Sequence, residues 1–382
     1  MGVKIFFSSL FPLSESDKYL LDSLKDLEEY EQLSKLIRQK KAWFTIKTFG
    51  ISIFDDGEYI QVNSHDENLN NFIEQVNNKL KLKGQVEHFK RVSTSLFDTL
   101  KEYLAPELLG LDYLKESIIL QLFSREGIHV AIVSDPGLIG KDFLDAVINI
   151  APISSYYKGG DIPYSGSIAF SGRELYKGLL PLVNNGIFAL ENLNMMTKIE
   201  KSNLYSAIDK NYIIQEKGDF KYKYDANVKV LATAIPVGGK FARTFEQMKK
   251  QIPFDSFLIG KFHLVYLISE MDKIGLKKIP KKVNINIDKK LNNNDIEFIR
   301  NYIKYADSIY EVNISKDYED QLLDYINELK RKQYKCLLDI NPKLGTSLIR
   351  LAKASARMEL RNNIELKDIE KAKEILKDSL GL

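Results

Sequence analysis

The segment His129 to Leu144, HVAIVSDPGLIGKDFL, constrains this chain more than any other. An apolar run of strand length (His129 to Val133) meets Pro136-Gly137 and Gly140-Lys141, and Asp142 to Ile150 then takes helical spacing. Strand, glycine turn and helix start form the context in which backbone N–H groups gather round a phosphate. A working loop also needs a lysine for the outer phosphates and a Ser or Thr hydroxyl for magnesium. Gly137, Gly140 and Lys141 meet the first two needs, whereas Asp142 follows the lysine and Ser134 opens the loop where glycine is expected. A carboxylate at Asp142 repels phosphates, although it can touch a metal. Two readings stay open: a residual phosphate loop of Asp135, Pro136, Gly137, Gly140 and Lys141, or a turn that only shapes a nucleotide fold.

A second buried strand, Gly186 to Leu190, ends in Glu191-Asn192. A magnesium-orienting acid and a water-activating base belong side by side at such a strand end. Glu191 can be the first; Asn192 cannot be the second, because an amide takes up no proton near neutral pH. Met195 and Met196 read as packing groups. A third strand, Val228 to Ala234, runs into Ile235-Pro236, where a polar phosphate sensor would sit and Ile235 has no polar group. With Phe262 to Ser269 these strands predict a five-stranded parallel sheet with helices on both faces. The intervening YYKGGDIPYSG reads as irregular loop, Arg173 to Leu180 and Asn203 to Asp209 as helices, and Tyr212 to Gln215 with Phe220 to Tyr224 as a hairpin.

Residues 1–90 predict a small α+β domain: a strand at Val3 to Phe7, a helix over Glu15 to Lys40, strands at Ala42 to Thr48, Ile51 to Phe54 and Tyr59 to Val62, and a helix from Leu69 to Leu80. Asp56-Gly57 is a hairpin signal. Residues 91–275 hold the nucleotide fold. Residues 276–294, rich in Lys and Asn, read as a linker, and residues 295–382 as a helical lid with apolar faces such as Ile349, Ala352, Ala356 and Leu360. The single cysteine, Cys336, excludes an internal disulfide and a zinc ribbon. A net charge of only +3 confines any nucleic-acid surface to a local patch. Lys217, Lys221 and Lys223 are one candidate patch, on an alternation that predicts a shared face; a solvated edge strand explains them equally. No apolar run reaches membrane-spanning length, and the expected location is cytoplasmic.

The order of these motifs resembles the AAA+ motor of the minichromosome maintenance (MCM) helicases, from about residue 105 to 377. Asp135-Pro136-Gly137 resembles the family's GDPGxAKS loop, Gly186 to Met196 its GxxxxDExxKM, and Pro236 with Gly238-Gly239 its NPxxGxY turn. Phe257 to Leu264 resembles the SRFD segment, and Ile349 to Ala356 the lid's IRLAEAxA. The resemblance implies an AAA+ P-loop-type α/β core with a lid, ring assembly, DNA and ATP–magnesium as partners. It also exposes departures. The metal aspartate falls on Glu191, the catalytic glutamate on Asn192, the sensor asparagine on Ile235, the arginine finger on Lys261 and the second sensor arginine on Lys343. The DNA-gripping hairpin lysine falls on Glu216, beside Lys217. The family's OB barrel and cysteine zinc site have no counterpart in residues 1–90, and its winged helix has none before Leu382.

Losing a general base alone typically costs about 10²–10⁴ in rate, and here the base, the hydroxyl and the sensor are replaced together. The expectation is a catalytically inactive MCM-like protein that acts as a scaffold or assembly factor in DNA replication, with an active MCM or another replication protein as partner. No cofactor or metal is expected beyond residual ATP and magnesium binding. Two alternatives remain: a DNA-binding module with a degenerate motor, and an unorthodox magnesium-dependent ATPase using Lys141, Asp142, Glu191 and Lys261.

Overall fold

The computed structural model describes residues 52–55, 60–63, 86, 88–104, 110–160, 170–171, 176–217, 220–254, 256–269, 277–278, 291–309, 311–336 and 343–381. The chain divides into two compact units, Met1–Val92 and Ser93–Leu382. In the first unit, β1 (Ser52–Asp55) pairs antiparallel with β2 (Ile60–Asn63). Asp55 lies opposite Ile60, and the Asp56-Gly57 signal between them lies outside the described residues. The strands expected at Val3 to Phe7 and Ala42 to Thr48, and the helices Glu15 to Lys40 and Leu69 to Leu80, lie outside the described residues.

The second unit opens with α1 (Leu96–Tyr103) and α2 (Asp112–Phe123), the latter buried along almost its whole length. Then follow β3 (Val130–Ser134), α3 (Lys141–Ile150), β4 (Ser154–Lys158), the short pair β5 (Phe170–Ser171) and β6 (Tyr176–Lys177), and one turn of helix, α4 (Leu179–Leu182). Next come β7 (Ile187–Glu191), a 3₁₀ turn at Leu193–Met195, α5 (Lys198–Lys210), the hairpin β8 (Tyr212–Lys217) and β9 (Phe220–Asp225), and β10 (Lys229–Ala234). Two short helices, α6 (Phe245–Lys250) and α7 (Ser256–Ile259), lead to β11 (Leu264–Ser269) and β12 (Lys277–Lys278). The lid region is α8 (Asn293–Ile309), α9 (Lys316–Arg331), α10 (Lys343–Met358) and α11 (Leu366–Ser379).

The main sheet has the order β12-β11-β3-β10-β7-β4, every neighbour parallel. β3, β10 and β11 are buried at every residue, as central strands covered on both faces must be. The chain leaves β3 toward β4 at one edge and leaves its neighbour β11 toward β12 at the other, so a crevice opens at their C-terminal ends, where α/β sheets place ligands.

Four expectations need correction. The fifth core strand is β4, overlapping the YYKGG stretch read as loop; all its residues but Tyr157 are half-buried, and it lacks the apolar run of a central strand. Within Arg173 to Leu180 the described residues form β6 and the start of α4, because Gly178 and Pro181 limit the helix to one turn. The linker 276–294 contributes β12, paired with Ile268 and Ser269. The helix expected at Asn203 to Asp209 is longer, beginning at Lys198 behind a Thr197–Glu200 capping box.

The lid packs on the core through α10 and α2, where the Arg357 guanidinium donates to the Phe123 carbonyl at 2.9 Å. α10 and α11 are clamped by buried Asp368, which accepts from Ser355 Oγ at 2.7 Å and from both terminal nitrogens of Arg361 at 2.8 Å. Among the described residues no helix is long and apolar enough to cross a membrane.

Candidate nucleotide site

β3 delivers its loop to the crevice. The Leu138 N–H donates to the Asp135 carbonyl at 3.3 Å, and Gly137 has φ +81°. Proline followed by a positive-φ glycine is the signature of a type II turn. Asp135 is 2% exposed: its carboxylate accepts from the Phe241 N–H at 2.8 Å and from Ser269 Oγ at 2.7 Å, while its own N–H donates to Ile268. Asp135 therefore ties the ends of β3 and β11 to the turn after β10. A phosphate is met instead by what lies beyond it. Pro136 and Gly140 are exposed, and a Cβ at Gly137 or Gly140 would meet nothing within 4 Å. Gly140 caps α3 with no side-chain hydrogen bond, and Lys141 is the first helical residue. Asp142 is the second.

Lys141 Nζ lies 5.3 Å from the centre of the Tyr156 ring, and the Tyr156 hydroxyl donates to Glu191. One edge-strand tyrosine thus touches both the loop lysine and the acid at the end of β7. Asn192 follows in the left-handed region, φ 55° and ψ 51°, with its N–H 3.4 Å from Thr233 Oγ1. Asparagine tolerates that conformation better than most residues. The chain is pressed close here: a Cβ on Gly159 would sit 2.3 Å from the Asn192 carbonyl oxygen. The Ile235 N–H is 3.4 Å from Asn194 Oδ1, so the amide reaching that strand end comes from the 3₁₀ turn. Met196 is buried as a packing group, but Met195 is 60% exposed, contrary to its expected role.

The loop fits a phosphate in part, through open space over two glycines and an exposed lysine. It does not fit a magnesium ion poised for hydrolysis: Asp142 stands where a hydroxyl is needed, Glu191 is engaged by Tyr156, and Asn192 cannot take a proton. Among the described residues no group of three or more His, Cys, Asp or Glu could hold a metal.

Lys261 and Lys343 come together, away from this loop. Lys261 pairs with Asp209 and stands 4.3 Å over the Phe257 ring. Lys343 lies 3.7 Å from the same carboxylate and 3.4 Å from the Lys261 carbonyl. Burial pulls the Lys343 ammonium below its ordinary range, and Asp209 offsets part of that. Lys261 precedes β11, hence stands at the N-terminal edge of the parallel sheet, about 20 Å from the C-terminal edge that carries the loop.

The hairpin corrects a further expectation. Lys221 is opposite Glu216 and Lys223 opposite Ile214, but Lys217 is opposite Phe220. Directly opposed residues share a face, so Lys221 and Lys223 share one and Lys217 belongs to the other. Lys223 is exposed, its Nζ 4.1 Å from the Tyr212 ring centre.

Sequence reasoning missed Tyr156, Asn194 and Asp209. The paired tyrosines before a Gly-Gly were a signal for the first; the other two stand out only once the chain is folded.

Comparison with known proteins matches residues 85–283 to the MCM P-loop domain and residues 297–380 to the MCM AAA-lid domain. The chain is 24% identical over 313 residues to the DNA replication licensing factor MCM4 of Drosophila melanogaster, covering 75% of this chain and 36% of that protein. It is 26% identical over 344 residues to mcm4 of Schizosaccharomyces pombe, covering 78% and 36%. With the minichromosome maintenance protein MCM of Saccharolobus solfataricus it shares 23% over 311 residues, covering 75% and 45%. The chain thus spans less than half the length of these curated relatives. The P-loop model alone accounts for more than half of the residues and the lid model continues it, so the protein belongs to the MCM family.

Proposed function

We propose that this chain serves DNA replication as an assembled, catalytically inactive MCM subunit, a scaffold or assembly factor beside an active homologue or another replication protein. The observation that carries the reading is the state of the loop edge: Glu191 is held by Tyr156, Asn192 replaces the base, and Asp142 replaces the hydroxyl. The opposite edge keeps two cations on one carboxylate, Lys261 and Lys343 on Asp209. At about 20 Å from the chain's own loop, they act only on a molecule docked against that edge. Lysine there keeps charge but loses the planar fork of arginine. Residual ATP binding through Gly137, Gly140 and Lys141 is compatible with this role, and the protein works beside the replicating chromosome.

The test is ATP turnover and native mass of the purified chain, alone and mixed with an active MCM homologue. The expected result is no turnover by the chain alone and a mixed assembly. Turnover by the chain alone that Lys141→Ala abolishes overturns the reading in favour of an unorthodox ATPase. A DNA-contacting role draws support from one feature, the shared face of Lys221 and Lys223.

A further inference from the structure

A second cavity lies at the N-terminal edge of the sheet, with a volume of about 480 Å³. It is lined by Arg125, Glu126, Asn185, Asn211, Asn227, Lys229, Asp307 and Arg350. None of these side chains is aromatic or aliphatic, so a nucleobase or a lipid tail has nothing to rest on. Three cations stand against two carboxylates, and Glu126 is already 3.3 Å from Lys353 Nζ. That excess of positive charge disfavours a metal cation.

The donors are unspent. Lys229 is 9% exposed and gives one hydrogen bond, to the Leu122 carbonyl at 2.9 Å, leaving two N–H groups. Arg125 makes no hydrogen bond or ion pair among the described residues, and the Asn211 side-chain amide makes none either. Arg350 donates from Nη1 to the Gly127 carbonyl and its Nε pairs with Glu126 at 3.9 Å, but that buried Nε–H has no hydrogen-bond partner. Burial draws the Lys229 ammonium down to about 8, the response of a cation held in a cavity that lacks enough negative charge. Asn185 and Asn211 are both left-handed, at φ 64° and 59°, so their backbones turn sharply where the walls meet.

We propose that this cavity binds a small phosphate-type oxyanion, inorganic phosphate or a phosphomonoester, through Arg125, Lys229 and Asn211. Its position gives the ligand a consequence. Asn211 and Asn227 are the two roots of the β8–β9 hairpin, and Asp307 and Arg350 belong to α8 and α10. An anion there joins the hairpin root to the lid.

The test is calorimetric titration of the full chain with inorganic phosphate, at ionic strength matched with chloride. Asn211→Gly removes the amide while tolerating the positive φ, and Arg125→Ala removes an exposed cation with no partner to disturb. Each should weaken phosphate binding by about tenfold, the usual effect of losing a hydrogen bond to a charged group. Phosphate binding that only Lys141→Ala abolishes, or no binding by the wild type, overturns the proposal. A single-stranded oligonucleotide with a 5′-hydroxyl distinguishes the source: direct binding of it that Arg125→Ala weakens, with no binding of phosphate alone, would mean the cavity takes a nucleic-acid backbone and the small-anion proposal fails.

Discussion

Acid should unfold this protein through two buried histidines. His129 and His263 are 4% and 2% exposed, with ring centres 5.0 Å apart. His129 Nδ1 accepts from the Val230 N–H at 3.2 Å, and His263 Nδ1 accepts from the His129 N–H at 3.1 Å. Burial, followed by the charges of Lys343 and Arg350, holds His129 down to about 3. Burial, His129 and the same cations hold His263 well below its ordinary value. Both imidazoles are neutral in the fold, whereas the unfolded chain takes up protons near pH 6.5. Their contribution to stability is therefore complete above about pH 6.5 and is lost as pH falls toward the folded-state values. Between pH 7 and 5 the loss is about 2 kcal/mol for His129, and His263 adds a loss of the same sign. Urea unfolding followed by circular dichroism at pH 7, 6 and 5 measures it. His129→Asn keeps an oxygen able to accept from Val230 but cannot titrate, so its loss over the same interval should be clearly smaller than that of the wild type. Equal losses in the two proteins would refute the argument. The carboxylates are a small part of this window, since their ordinary range lies lower.

Other expectations concern the lid, the loop and the hairpin. Asp368→Ala leaves Arg361 and Ser355 without their buried partner and should cost about 3–5 kcal/mol in a urea titration; a loss under 1 kcal/mol would mean the clamp is not buried in solution. Tyr156→Phe releases Glu191 and should strengthen ATP–magnesium binding roughly three- to tenfold by calorimetry; unchanged affinity would show that Glu191 is not near bound nucleotide. Lys221→Ala with Lys223→Ala should lower the salt dependence of any DNA binding by about two ion equivalents, and an unchanged slope would place the DNA elsewhere.

Strands that are buried on both faces announce themselves. The runs around Val130, Ile187, Val230 and Val265 are continuous apolar segments, and each is a central or near-central strand. β4 hid because an edge strand leaves most of its residues half-buried, and its Ser-Ser-Tyr-Tyr-Lys reads as polar. At the site, the identities of Asn192 and Ile235 could be read directly, since they concern one side chain each. Tyr156 over Lys141, and Asp209 between Lys261 and Lys343, join residues from separate elements. Nothing local in the chain encodes such meetings. Hairpin faces failed for a simpler reason: the register across the turn, not the spacing within one strand, decides where Lys217 belongs.

The left-handed Asn192 sets a conformational condition on its own position. Its conformation is one that asparagine accepts and a longer acid adopts at a cost of roughly 1–2 kcal/mol. The carbonyl it presents is pressed against Gly159, so the local backbone has little room to relax. A carboxylate placed there by Asn192→Glu would therefore be held at the strand end under backbone strain, whereas Asn192→Gly would keep the turn without it.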